Sequence, residues 1–122
     1  MRIGIVLAVA AAGVLVGHVQ AAPPLPTKPP KGCPHVRPHR GKGRPTGDWE
    51  AVFGWSRKAP RALALLKRVR SKGFSCAVIE HEAVGDFMGY EVAIIGLHTQ
   101  EAAEEIARRA FRKGLNVRIA QS

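Results

Sequence analysis

Phe53-Gly54-Trp55 and Ile95-Gly96-Leu97 open two similar segments, and each segment closes on a Lys-Gly-apolar step, Lys72-Gly73-Phe74 and Lys113-Gly114-Leu115. The offset between the halves is 42 residues at Gly54 and Gly96, and 41 at Gly73 and Gly114. A repeat of this size marks a duplicated supersecondary unit that cannot bury its apolar face alone. Within each half the pattern reads strand, helix, strand. Glu50–Trp55 alternates and is rich in strand formers. Ser56 is a plausible N-cap, and Pro60 suits the first turn of the helix that follows. Ala62, Leu63, Leu66 and Val69 then recur at helical spacing, and Gly73 marks the helix end.

Phe74–Glu80 reads as the second strand, and His81–Gly89 as a polar loop. Glu80, His81, Glu82 and Asp86 cluster there, with no adjacent nucleophile or oxyanion donor, so a solvated hairpin tip is expected rather than a catalytic carboxylate pair. Tyr90–Ile95 forms the third strand. Thr99 caps a second helix with Glu101, Glu104 and Glu105 early and Arg108, Arg109, Arg112 and Lys113 late, an order that complements the helix dipole. Leu115, Val117 and Ile119 share one face of the last strand. The expected fold is α+β: a ferredoxin/RNP-like βαββαβ unit, one four-stranded antiparallel sheet with two helices on one face.

Carrying orientations across the repeat places Val52, Phe74, Cys76, Val78, Val92, Ile94, Leu115, Val117 and Ile119 against the helices. The other face would then carry Ala51, Phe53, Ala77, Ile79, Glu91, Ala93, Ile95, Asn116 and Arg118. Nothing in the chain is left to cover that face, which makes it a candidate binding surface.

Ahead of this domain, taken as 48–122, lie two segments of different composition. Arg2, the apolar run Ile3–Val16 and Val19-Gln20-Ala21 have the layout of a signal peptide over 1–21, cleaved after Ala21. The run is short for a membrane span, so export without a stable span is expected. Residues 22–47 hold eight of the nine prolines and six basic side chains with no acidic one, the composition of an extended basic linker. Residues 48–122 are milder, with twelve basic against nine acidic side chains. In an oxidising compartment Cys33 and Cys76 can pair and tie the tail to the domain; alternatively Cys76 is a small buried apolar residue and Cys33 a free thiol. Both readings stay open. Cys33, His35 and His39 lie close in sequence but lack a fourth ligand and a rigid element, so no metal site is expected.

The second half resembles the SPOR domain, the sporulation-related repeat of bacterial envelope proteins. Tyr90-Glu91-Val92-Ala93-Ile94 is similar to that family's Tyr-x-Val-x-Val strand, Thr99 with Glu101-Ala102-Ala103-Glu104 to its helix start, and Lys113-Gly114-Leu115 to its helix end. In the first half, Val52–Ser56 resembles the family's Val-Gly-Ser-Phe-Ser, with Trp55 at the aromatic position. The chain departs where the family's strand-end glycine falls on Phe53 and Ile95. The resemblance implies a non-catalytic periplasmic or envelope module that binds peptidoglycan glycan strands stripped of stem peptides, at division or remodelling sites. It implies contacts from Phe53, Trp55, Ile79, Glu91, Ile95 and Arg118, and Asn116 adds a polar group beside them. Envelope proteins are alternative partners for the same face, as in propeptide-like inhibitor modules. Nucleic acid fits the topology and the basic tail, but the export signal argues against it. There is no cofactor motif, and no nucleophile–base pair, phosphate loop or metal-ligand set that would make the chain an enzyme.

Overall fold

The computed structural model describes residues 24–36 and 47–121. The expected signal segment 1–21, His39 and the remainder of the linker lie outside the described residues. The elements are β1 (Trp49–Ser56), α1 (Ala59–Ser71), β2 (Val78–Val84), β3 (Phe87–Leu97), α2 (Gln100–Arg112) and β4 (Arg118–Gln121). The four strands form one antiparallel sheet in the order β2-β3-β1-β4. The architecture is the βαββαβ fold read from the repeat. Among the described residues no helix is long and apolar enough to cross a membrane.

Both helices lie on the same face. Ala62, Leu66 and Val69 of α1 and Ala103 and Ala110 of α2 share one buried core with Ala51, Ile79, Val92, Ile94 and Leu97 of the sheet. Thr99 caps α2 as its sequence suggests, its Oγ1 accepting from the Ala102 amide at 3.1 Å. Ser56 does not cap α1. Lys58 holds the N-cap position without a side-chain bond, while Ser56, two residues before that cap, accepts from the Lys58 amide through its Oγ. At the opposite ends the repeat becomes a mutual clasp. Lys72 Nζ donates to the Lys113 carbonyl and Lys113 Nζ to the Lys72 carbonyl, each at 2.6 Å, so each helix end is satisfied by the other half.

Strand orientations differ from the expectation in β1 and β2. Ala51, Phe53 and Ile79 pack with the helices, and the Phe53 ring lies 5.4 Å from that of Phe74; Val52 and Val78 occupy the opposite face. In β1, register shifts between Trp49 and Ala51 and between Val52 and Gly54 break the regular alternation, so Val52 does not copy the orientation of Ile94. In β2, Phe74–Ala77 is a turn, closed by the Ala77 amide on the Phe74 carbonyl at 3.2 Å. The strand therefore starts at Val78, and the parity counted from Phe74 is lost. The polar stretch is also not a loop: β2 runs through His81 to Val84, and the turn is confined to Gly85-Asp86, with Gly85 at φ 61°.

Residues 24–36 do not behave as a free linker. Leu25 packs against the core, and the Pro26 carbonyl accepts from the Ile79 amide at 2.8 Å along the outer edge of β2. A turn at Pro30–Cys33 leads into a Cys33–Cys76 disulfide, which resolves the two cysteine readings in favour of pairing and removes Cys33 from any metal set. The backbone then passes over Gly96, where a β-carbon would overlap the His35 main chain and where φ is 73°. Glycine is required there for both space and conformation.

Candidate functional site

Among the described residues, neither helix packs on the second sheet face. Its apolar floor is Val52, Val78, Ala93 and Ile95, with Ala120 packed against them; Val78 and Ala93 expose no surface. Around this floor the alternation of the strands gathers four glutamates. Glu80 pairs across β2–β3 with Glu91, Glu82 with Gly89, and Trp55 of β1 with Glu91. Glu50, Glu80 and Glu91 each offer a carboxylate oxygen within 4.8 Å of the others. Like charges set this close and removed from water resist ionisation.

The protonation pattern follows. Glu91, only 2% exposed, is pushed up to about 9 by burial first, then by its hydrogen bond with Glu82 and the charges of Glu82, Glu50 and Glu80. Glu80 rises to about 7 through burial and the charges of Glu50 and Glu82. Burial raises Glu50 as well, while its hydrogen bond with Glu91 acts in the other direction. At neutral pH Glu91 is thus a protonated carboxyl hydrogen-bonded within a carboxylate group. The Arg118 guanidinium, its side chain 65% exposed, stands 3.7 Å from Glu91 and supplies the positive charge at the rim.

Trp55 lies at the edge of this face. Its ring occupies the space left by Gly89, where a β-carbon would overlap the indole, and its buried Nε1 has no hydrogen-bond partner among the described residues. Gly89→Ala should therefore evict the ring and destabilise the fold by about 1–3 kcal/mol. Denaturant unfolding followed by tryptophan fluorescence checks this; an unchanged midpoint would refute the packing described.

Of the residues expected at the site, Trp55, Glu91, Ile95 and Arg118 do come together on this face. Asn116 is exposed in the connection before β4, in a groove it shares with Trp55 and Arg118. Ile79 is corrected to the helix side, where it is fully buried in the core; Phe53 also packs against that core, but it is half-buried and lines the groove with Trp55, Asn116 and Arg118. Glu50, Glu80 and Glu82 were not expected. The signal for them was the alternation Glu80-His81-Glu82 ahead of a two-residue turn, a strand pattern obscured by its polarity.

Three carboxyls could in principle hold a hard cation such as Ca²⁺ or Mg²⁺, which takes oxygen ligands. Such an ion would have to displace the Glu91 proton and accept Arg118 as a neighbour. Comparison with protein-family models, curated proteins and solved structures returns no match to this chain.

Proposed function

We propose that the protein is an exported, non-catalytic module of the cell envelope whose helix-free sheet face binds peptidoglycan glycan strands lacking stem peptides. The observation that supports this reading is the convergence of Trp55, Arg118 and a partly protonated glutamate cluster on one sheet face. Mixed carboxyl and carboxylate groups can both donate to and accept from sugar hydroxyls and acetamides. An exposed guanidinium suits the carboxylate of a muramic acid unit, and an indole can stack on a pyranose ring. The negative charge that remains on this cluster repels phosphate backbones, which disfavours nucleic acid on this surface.

Purified sacculi, with and without amidase treatment, provide the test by co-sedimentation. Binding should strengthen after amidase, and Arg118→Ala should weaken it roughly tenfold, the size of one charge-assisted contact. Absence of binding to both preparations would sink the proposal. Release of reducing ends during the incubation would replace the binding reading with a hydrolytic one, since two carboxyls in unequal protonation states are also the apparatus of glycoside cleavage.

A further inference from the structure

The β2–β3 turn carries two large apolar side chains in open solvent. Phe87 is 50% and Met88 65% exposed; they are consecutive at the start of β3 and so stand on opposite faces of the hairpin tip. They lie at the end of the sheet where α1 begins. Ser56 pairs with Tyr90 across β1–β3, and the Arg57 guanidinium sits 3.6 Å from the centroid of the Phe87 ring. Lys58 and Arg61 follow in sequence at the start of α1, so the chain leading from Arg57 into the helix carries three cations, and the turn itself carries Asp86.

The charge placement runs against the helix. A helix N-terminus favours carboxylates and disfavours cations, yet α1 has no acidic residue in its first turn and its N-cap makes no side-chain bond. Among the described residues the ion pairs are His98–Asp48, Arg108–Glu105 and Arg118–Glu91; Arg57, Lys58 and Arg61 belong to none of them. Lys58 and Arg61 at the helix start and the exposed Phe87 and Met88 side chains each cost stability in the free protein, while the Phe87 ring partly compensates Arg57. An anionic surface with an apolar interior would relieve both.

We propose that this end of the domain docks on an anionic lipid bilayer, Phe87 and Met88 entering the headgroup–acyl boundary and Arg57, Lys58 and Arg61 engaging lipid phosphates. Aromatic and methionine side chains flanked by Lys and Arg are the composition that interfacial contacts use. The contact lies at the hairpin tip beyond the Glu82–Gly89 pair and uses none of the glutamates, so it does not depend on the saccharide reading. Each cation near an anionic membrane contributes roughly fivefold in binding, and burial of each apolar tip residue contributes roughly tenfold.

Hydrogen exchange on the secreted chain, its N-terminus fixed by mass spectrometry, tests this locally. Vesicles of phosphatidylcholine alone are compared with vesicles containing one part phosphatidylglycerol to two parts phosphatidylcholine. The anionic vesicles should slow exchange over 85–88 and 57–61 about tenfold, and the neutral ones should leave it unchanged. The Phe87→Ser, Met88→Ser double variant should lose the effect while keeping sheet and helix protection, and so should Arg57→Glu with Lys58→Glu. No slowing with anionic vesicles, equal slowing with neutral ones, or slowing that survives the Phe87 and Met88 replacements overturns the proposal. Equal slowing by soluble polyphosphate would assign these cations to a soluble polyanion and overturn it too.

Discussion

Thermal unfolding between about pH 5 and about pH 8.5 should show the folded chain becoming less stable as the pH rises. Glu91 holds its proton in the folded protein up to about pH 9, whereas in the unfolded chain it loses it near the ordinary value of 4.5. Between those values the native state binds the extra proton. Stability gained from that group is therefore complete below the unfolded value and is lost progressively as pH climbs towards the folded one. One such group sets a slope of at most about 1.4 kcal/mol per pH unit. Glu80, raised to about 7 and half-buried, adds to the slope below neutrality, with its share reduced by solvent screening. Glu91→Gln keeps the shape, removes the titration and relieves the repulsion. It should flatten the profile and raise the melting temperature near pH 8 by several degrees. A wild-type melting temperature that is constant or rising over this range would rule out the protonated glutamate.

The second large effect concerns the disulfide. Cys33→Ser with Cys76→Ser should lower the unfolding free energy by about 2–4 kcal/mol, as expected when a loop spanning 43 residues is no longer closed in the unfolded chain. The change should have a local signature. The Ile79 amide, held by the Pro26 carbonyl, should exchange faster, while the β1–β3 ladder should keep its protection. Denaturant titration and hydrogen exchange measure the two parts. An unchanged midpoint together with an unchanged Ile79 rate would mean that the 24–36 segment holds its place without the covalent link.

The fold was legible because its signals are local and repeated. The Lys-Gly helix ends, the Thr99 cap and the apolar stripes of α1 and α2 each depend on a few neighbouring residues. The face of each strand was less legible because one irregular step inverts every side chain beyond it. The register shifts around Val52 and the turn at Phe74–Ala77 are such steps: they turn Phe53 towards the helices, although it still borders the groove beside Trp55, and they bury Ile79 in the core. The glutamate cluster escaped because Glu50, Glu80 and Glu91 are far apart in sequence and meet only through strand pairing. Whether Cys33 and Cys76 pair depends on the path of the tail, and that path is set by packing of Leu25 and by the space above Gly96 rather than by any motif.

The Cys33–Cys76 link also determines how the domain responds to mechanical load. Tension applied through the N-terminal side of the chain reaches Cys33 and crosses the sulfur bridge to Cys76. Everything between the two cysteines, including β1 and α1, then lies in a closed loop outside the line of force. The anchor point of the domain is the connection between α1 and β2 rather than the start of β1. The central strand that carries Glu50, Val52 and Trp55 is thereby isolated from tugging on the tail.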